Sequence, residues 1–347
     1  MGRQPARHAA NEHGMRKRTK VLIAAACAAA LLITGTGIAV LIYRAHINSR
    51  INHIDITFPE PPQMPDPTGP SASPAPSGAK APINFLILGS DSRSSGGDPT
   101  DWQYGGQRSD VMMLAQISGD RQTVNVMSIP RDSWVPIEGH GEAKINAAFS
   151  YGGATLAIST VQNLTGVAID HFAIIDFTSF EKLTDELGGV TIVTKKGEQR
   201  MNGEQALLFV RDRYNVPRGD FDRVRRQQAW IKAIMSEVFD KDVLKNPLKV
   251  GNLINIVLDY SAVDQGIDFD YLAGLAVESR DMRPGAVRFM TAPYTGTGRS
   301  PDGKQSIVVL DMPKLDALME AWRNDTVAEY IAANPDSVPK LDDRPVD

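Results

Sequence analysis

The sequence is nearly free of cysteine, since Cys27 is the only one in 347 residues. The chain beyond this N-terminal cysteine therefore has no disulfide, no cysteine-based zinc site and no thiol nucleophile. The six histidines form no H-E-x-x-H pattern, and the chain contains neither G-x-x-x-x-G-K-[ST] nor G-x-S-x-G. These absences argue against a zinc hydrolase, a Walker-type ATPase and a serine esterase.

The chain also lacks a positive excess, because its formal net charge is -4 at neutral pH. A general nucleic-acid binder would carry a strongly basic surface over a whole domain. The prediction is therefore a protein with no nucleic-acid partner, whose basic residues serve a local purpose.

Charge is absent from one long stretch, Val21 to Tyr43, which has 23 residues. At the helical rise this stretch reaches roughly 34 Å, enough to cross the hydrocarbon core of a bilayer. A cleaved signal peptide is the alternative, but its apolar region would be shorter and followed by small residues, whereas Arg44 and His46 follow here. We interpret the stretch as a single transmembrane anchor.

The basic cluster Arg16–Lys20 directly precedes this stretch and carries four positive charges. By the positive-inside rule, residues 1–20 form a cytoplasmic tail and the remainder of the chain lies outside the membrane. Residues 44–82 are predicted to be an extracytoplasmic stalk, because nine prolines fall between Pro59 and Pro82.

From Ile83 onwards, short apolar runs alternate with helix-like stretches. The strand-like runs are "INFLILG", "VMMLAQI", "TVNVMSI", "HFAIIDF", "VTIV", "AVRFMT" and "QSIVVL". The stretch "ISGDRQTV" predicts a hairpin turn at Gly119-Asp120, so the sheet should be mixed. The fold prediction is a three-layer α/β/α sandwich with a central mixed sheet over residues 83–325. Residues 326–347 form a C-terminal tail, predicted to be disordered from Pro335.

Arginine dominates the basic residues of the central region, with ten arginines and four lysines between Arg108 and Arg226. Guanidinium grips phosphate oxygens bidentately, which a lysine does not. Asp91 and Asp110 stand at the ends of strand-like runs, where two carboxylates provide hard oxygen ligands for Mg²⁺. The pattern indicates a site for pyrophosphate and its metal.

Several of these arginines occupy spacings that place them on one side of an element. Arg223 and Gln227 are four residues apart on a predicted helix from 223 to 239, and a solvated charged face explains this spacing equally well. Arg211 and Arg213 have the i, i+2 spacing of a strand, as two exposed arginines would also have. Arg131 follows Pro130 at a strand end, and Asp132 beside it is as well explained as a turn former as by catalysis.

Eight motifs in order closely resemble the LytR-CpsA-Psr family over roughly Ile83 to Asp325. They are "LILGSDSR", "RSDVMML", "MSIPRDSWV", "KINAAFSYGG", "IDHFAIIDFTSF", "LGGV", "NGEQALLFVRDRY" and "GDFDRVRRQQ". The resemblance implies a membrane-anchored α/β/α protein that uses Mg²⁺ to transfer a glycopolymer from a polyprenyl-pyrophosphate carrier to peptidoglycan.

The resemblance also assigns roles to individual residues. It implies Asp91 and Asp110 as metal ligands, and Asp91, Arg131 and Asp220 as catalytic residues. The implied pyrophosphate contacts are Arg108, Arg131, Lys144, Arg211, Arg213, Arg223 and Gln227. The polyprenyl tail should lie in an apolar groove between sheet and helices, with "HFAIIDF", "AWIKAIM" and Phe209 as candidate lining.

Three functions remain open at this stage. The leading one is a phosphotransferase in which Asp220 or Asp91 helps to deprotonate the acceptor hydroxyl. A lipid pyrophosphatase would use the same residues with water as the nucleophile. A polyprenyl-phosphate binding protein would need the arginines but would gain little from the aspartates.

Overall fold

The computed structural model describes residues 41–61, 80–90, 109, 111–212, 220–240, 243, 246–339 and 345–346. The chain divides into two compact units, residues 1–49 and 50–347. Within the described residues, no helix combines the length and apolar character needed to cross a membrane. The predicted span from Val21 lies outside the described residues except for its last three positions, so it stays a prediction. Helix α1 is described over residues 41–50.

A seven-stranded mixed sheet forms the centre of the second unit, in the order β1-β10-β7-β2-β3-β4-β11. The predicted mixed sheet is confirmed, because β2 runs parallel to β7 but antiparallel to β3. The strands of this sheet are β1 Asn52–Ile54, β2 Ile83–Ser90, β3 Val111–Ile117, β4 Val124–Ser128, β7 His171–Asp176, β10 Ser261–Asp264 and β11 Val287–Thr291. Three two-stranded hairpins add β5 Trp134–Ile137 with β6 Gly141–Lys144, β8 Val190–Thr194 with β9 Gly197–Met201, and β12 Tyr294–Arg299 with β13 Ser306–Leu310.

Helices cover both faces of this sheet. Their bounds are α2 Ala147–Thr165, α3 Phe177–Glu186, α4 Gly203–Arg211, α5 Asp220–Asp240, α6 Pro247–Asp259, α7 Phe269–Glu278, α8 Met312–Arg323 and α9 Val327–Ala333. Because side chains alternate along a strand, Leu86 and Leu114 belong to the core beneath α2 and α8, whereas Met113 faces a cluster that includes Ile231 of α5. This arrangement is the expected α/β/α layering.

Buried polar groups are paired where the layers meet. Trp322 of α8 is fully buried, and its indole N–H donates to Asn84 Oδ1 at 3.0 Å. On the other side of the sheet, the buried Trp230 of α5 donates to Thr184 Oγ1 at 2.9 Å. An indole buried without such a partner would cost the desolvation of its N–H, so these two bonds hold α8 and α5 in one position.

The start of the second unit contributes an edge strand that the sequence prediction did not include. Strand β1 lies within the range assigned to the stalk, yet it pairs in parallel with β10 through Asn52 and Ala262. Further along, Gln162 of α2 donates to the Pro59 carbonyl at 3.3 Å. Residues 50–61 are therefore part of the folded unit. The proline-rich residues 62–79 lie outside the described residues.

Parts of the C-terminal tail also pack on the domain. Val338 and Val346 are buried, at 3% and 2% exposure. The Val346 backbone bonds with both Val193 and Lys195 at 3.0 Å. The disorder predicted from Pro335 is therefore wrong for residues 335–339 and 345–346, because two apolar side chains and an edge of β8 hold them in place.

Candidate functional site

The candidate site lies at the edge of the sheet where β2 and β4 end and β3 begins. Gly89 pairs with Val111 across β2 and β3, and Met113 pairs with Ser128 across β3 and β4. These pairings place the end of β2, the start of β3 and the end of β4 side by side at one edge of the sheet. Asp91 and Arg108–Asp110 occupy the segment between β2 and β3, and Asp91, Arg108 and Asp110 lie outside the described residues.

Arg131 follows β4 at this edge. Its carbonyl accepts a hydrogen bond from the Asn146 N–H at 3.2 Å, which joins the end of β4 to the start of α2. The next residue, Asp132, pairs with Lys144 through Nζ and Oδ1 at 2.9 Å. Both side chains keep about a fifth of their surface exposed, at 22% and 20%. Asp132 lies in a turn, which agrees with its interpretation as a turn former. Its ion pair with Lys144 joins the end of β6 to the residue that follows Arg131.

The first turns of α5 bring two predicted phosphate contacts to the same edge. Arg223 and Gln227 lie one helical turn apart, and each is only 5% exposed. The solvated charged face that the spacing also allowed is therefore wrong. Lysines and arginines are almost never this buried without partners, so Arg223 belongs to the packed interior of the domain. The Asp220 side chain lies outside what the structure describes.

The predicted strand geometry of Arg211 is wrong. Arg211 is the last residue of α4, which begins at a capping box formed by Asn202 and Gln205. The sequence pattern predicts a helix only over residues 203–208, and the structure extends this helix by three residues to Arg211. The Arg211 guanidinium lies 5.8 Å from the centre of the Phe177 ring, at the start of α3. Arg213 lies outside the described residues.

An apolar cavity of about 330 Å³ lies between the sheet and helices α3 and α5. Its wall is almost entirely carbon, and among the described residues Gln227 contributes the one polar side chain. The lining includes Ile87, Met113, Ala115, Val126, Ile175, Phe177, Phe180, Trp230, Ile231, Met235 and Phe289. The predicted groove between sheet and helices is present, and "HFAIIDF" and "AWIKAIM" both contribute to it.

Phe209 is not part of this lining, although the sequence suggested it. Its ring instead stacks under the guanidinium of Arg226 at 4.2 Å, and Arg226 Nη1 donates to the Phe209 carbonyl at 2.8 Å. Arg226 is 4% exposed and joins α5 to α4. Arg226 therefore has a structural role, which the number of arginines in the sequence could not distinguish from phosphate binding.

Gln228 is the residue that sequence reasoning missed. Its side chain is 1% exposed and donates from Nε2 to Ser128 Oγ at 2.8 Å and to the Met290 carbonyl at 2.9 Å. A signal was available, because Gln228 lies four residues after Val224 on the apolar stripe of the helix. A polar residue on such a stripe is expected to have buried hydrogen-bond partners.

Residues 63–324 match a family model described as the LytR_cpsA_psr family. Among curated proteins, the chain is similar to the cell wall biosynthesis protein LcpA of Corynebacterium glutamicum, with 27% identity over 70% of this chain and 56% of LcpA. It is also similar to the regulatory protein MsrR of Staphylococcus aureus, with 31% identity over 64% of this chain and 68% of MsrR. The chain thus spans little more than half of LcpA.

Two solved structures show the same fold. Protein gbs0355 from Streptococcus agalactiae superposes with a TM-score of 0.61 at 24% identity, over 71% of this chain and 88% of the other. TagT bound to LI-WTA superposes with a TM-score of 0.53 at 25% identity, over 71% of this chain and 91% of the other.

Proposed function

This chain belongs to the LytR_cpsA_psr family, and from that premise we propose that it transfers a cell-wall glycopolymer from a polyprenyl-pyrophosphate carrier to peptidoglycan. LcpA is described as a cell wall biosynthesis protein, and TagT was solved with LI-WTA bound. Both descriptions support a role in building the wall.

The observation that carries the proposal is the position of Gln227, where the apolar cavity meets the basic residues of α5. This residue lines the apolar cavity and lies one turn from the buried Arg223. A polyprenyl pyrophosphate has the matching shape, with a long hydrocarbon tail joined directly to a highly charged head. A cavity of about 330 Å³ lies within the usual range for small-molecule pockets. The tail would occupy the cavity, and the head would face Arg131, Lys144, Arg211 and Arg223.

In the proposed reaction, a peptidoglycan hydroxyl attacks the sugar-proximal phosphorus of the carrier. The new bond joins the acceptor oxygen to this phosphorus, and the bond from phosphorus to the bridging oxygen breaks. Polyprenyl phosphate leaves, and the product is a phosphodiester between the glycopolymer and peptidoglycan. The arginines offset the charge that develops on the phosphate oxygens, which is the main contribution of a protein to phosphoryl transfer. Asp91 or Asp220 would accept the hydroxyl proton.

Asp91 and Asp110 are the residues that would hold Mg²⁺. The strand ends from which they continue are neighbours, because Gly89 pairs with Val111. Two carboxylates are the hard oxygen donors that Mg²⁺ prefers, and the remaining ligands would be phosphate oxygens and water. Within the described residues there is no group of three metal-binding side chains. When bound, the ion supplies positive charge next to the pyrophosphate.

The full chain, purified from membranes under mild conditions, provides the test. Mass spectrometry of its extracted lipid should identify a polyprenyl phosphate or pyrophosphate. Incubation with a lipid-linked glycan and peptidoglycan oligomers should then release polyprenyl phosphate and form the phosphodiester product. Release of free glycan phosphate without that product would indicate a pyrophosphatase. Bound lipid without any product would indicate a binding protein.

The proposed topology places the catalytic domain outside the cell membrane and the N-terminus in the cytoplasm. A reporter fused after Asp347 should accordingly be active only in the extracytoplasmic compartment. Reporter activity in the cytoplasm would contradict both this topology and a reaction on peptidoglycan.

A further inference from the structure

The β5–β6 hairpin has two chemically different faces. The inner face carries Val135, Ile137 and Ile145, which are at most 2% exposed and belong to the main core. The outer face carries Trp134 and Pro136 on β5, opposite Lys144 and Glu142 on β6. Pro136 and Glu142 are exposed, and Trp134 and Lys144 are partly exposed. The outer face therefore combines an indole ring and a proline ring with charged groups, and it remains open to solvent.

Trp134 differs from the other tryptophans that the structure describes. Trp230 and Trp322 are at most 1% exposed and donate their indole N–H to buried oxygens. Trp134 is partly exposed and donates its N–H at 3.3 Å to Oε2 of the exposed Glu142. The large apolar ring thus remains at the surface, where aromatic side chains are most common in binding sites.

The hairpin is held rigidly. The Ile145 N–H donates to the Ser133 carbonyl at 2.8 Å, and the Val308 N–H donates to the Asp132 carbonyl at 2.8 Å. At the tip of the hairpin, the His140 ring stacks on Tyr151 of α2 with 4.4 Å between ring centres. A surface that is fixed before a ligand arrives loses little conformational entropy on binding.

One end of this outer face reaches the candidate site. Trp134 pairs directly with Lys144, and Lys144 bonds to Asp132, the residue after Arg131. Neighbouring side chains on one face of a strand pair lie about 5 Å apart. A ligand lying on Trp134 would therefore extend towards the position of the pyrophosphate head.

We propose that the outer face of the β5–β6 hairpin binds a sugar ring of the acceptor glycan, a proposal that rests on the function proposed above. A pyranose has an apolar face of C–H groups and a rim of hydroxyls. The Trp134 and Pro136 rings offer a flat apolar surface to the C–H groups, and the carboxylates of Glu142 and Asp132 accept hydrogen bonds from the hydroxyls.

The acceptor, and not the donor, is the glycan that needs this surface. The donor sugar is joined covalently to the pyrophosphate, so the phosphate contacts already hold it at the site. The acceptor is a separate molecule, and its hydroxyl must be held close to the phosphorus before it can react. A sugar surface adjacent to Lys144 provides that proximity.

The first test measures steady-state transfer with a lipid-linked donor and peptidoglycan oligomers. Trp134→Ala should raise the KM for the acceptor about tenfold or more and leave the KM for the donor and the amount of retained lipid unchanged. Trp134→Phe should recover most of the acceptor affinity. Val277→Ala, which alters another exposed apolar residue, is the control. An unchanged acceptor KM in Trp134→Ala, or a change in donor KM alone, would overturn the proposal.

The second test does not depend on transfer activity. Isothermal titration should show that the wild type binds a soluble tetrasaccharide from peptidoglycan, and that Trp134→Ala loses this binding while its thermal unfolding is unchanged. If the wild type binds the tetrasaccharide but transfers nothing, the sugar surface stands and the proposed reaction fails. Equal binding by the variant, or no binding by the wild type at millimolar sugar, would rule out the surface.

Discussion

The Gln228 side chain donates to Ser128 Oγ at 2.8 Å, which ties the third turn of α5 to the last residue of β4. A second bond from the same nitrogen reaches the Met290 carbonyl of β11. Arg223 and Gln227 lie on the turns of α5 that these bonds hold, and Arg131 lies three residues after Ser128. The buried Gln228 amide therefore helps to set the spacing between Arg223 on the helix and Arg131 at the sheet edge.

Replacing this amide should disturb the site more than the fold. Gln228→Leu removes two buried hydrogen bonds and should lower the free energy of unfolding by about 1–3 kcal/mol. It should also reduce the lipid that copurifies with the protein, because the first turns of α5 are no longer held against β4. Chemical denaturation and mass spectrometry measure the two effects. The exposed Gln122→Leu is the control, and full lipid retention in Gln228→Leu would contradict the positioning role.

The basic residues of the sheet edge should bind the phosphate head. Arg131→Ala and Arg211→Ala each remove a charge-assisted contact worth about 1.5–3 kcal/mol, which corresponds to a loss of lipid affinity of roughly ten- to a hundredfold. Affinity for a polyprenyl phosphate in detergent micelles is the measurement. Arg280→Ala removes a 73% exposed arginine and should have no effect. Wild-type affinity in both site variants would remove the phosphate cradle.

Filling the cavity should prevent lipid binding without unfolding the protein. Ala115 is buried and lines the cavity beside Met113. Ala115→Leu places three additional carbons in empty space, so its melting temperature should stay the same or rise, whereas retained lipid should fall. Ala332→Leu adds the same atoms to an exposed helix position and should change neither value. Normal lipid content in Ala115→Leu would show that the tail lies elsewhere.

The aspartates separate an enzyme from a lipid-binding protein. Asp110→Asn removes one negative charge from the proposed metal site and should abolish transfer while much of the bound lipid remains. EDTA should have the same effect on the wild type, because carboxylates beside a polyanion repel it unless a cation lies between them. Product formation by thin-layer chromatography is the readout, with Asp281→Asn as the surface control. Unchanged transfer in Asp110→Asn, or in excess EDTA, would exclude a metal-assisted reaction.

Asp264 should make stability depend on pH. Burial raises the pKa of its carboxyl, but hydrogen bonds from His171 and from the Phe172 and Gly266 N–H groups outweigh burial, so the pKa lies below its usual 3.8. Such a group stabilises the fold above its unfolded pKa, and this stability is lost as the pH falls through the folded pKa. Asp264→Asn should therefore lower the free energy of unfolding by about 1–3 kcal/mol at pH 5–7.

The difference between Asp264→Asn and the wild type should begin to narrow as the pH falls below about 4, where the carboxyl of the unfolded chain binds a proton. It should be lost once the pH falls through the lower pKa of the folded carboxyl. Urea denaturation at a series of pH values measures this. Asp316→Asn, at an exposed position, should follow the wild type throughout. A difference that stays constant down to pH 3 would mean that the hydrogen bonds of Asp264 do not depend on its charge.

Local sequence patterns determined most of the secondary structure. The apolar run "VMMLAQI" became β3, the Gly119-Asp120 turn joined it to β4, and the stripe from Val224 placed α5 against the sheet. These features depend on residues close together in the chain, where periodicity and turn chemistry are sufficient. The short strand β1 had no such signal, because three residues gain their pairing only from β10, about 210 positions away.

The residue types of the candidate site were also readable from the sequence, because a phosphate site is expected to contain arginine and the spaced motifs indicate the family. Only the tertiary structure showed that one of the arginines, Arg226, joins α5 to α4. Arg226 donates to the Phe209 carbonyl, and Arg223, three residues earlier on the same helix, is buried to a similar degree. The hydrogen-bond partners of Gln228 likewise became known only from the way α5 packs against β4 and β11. Hydrogen bonds between distant segments depend on how the layers pack, and no local pattern encodes that packing.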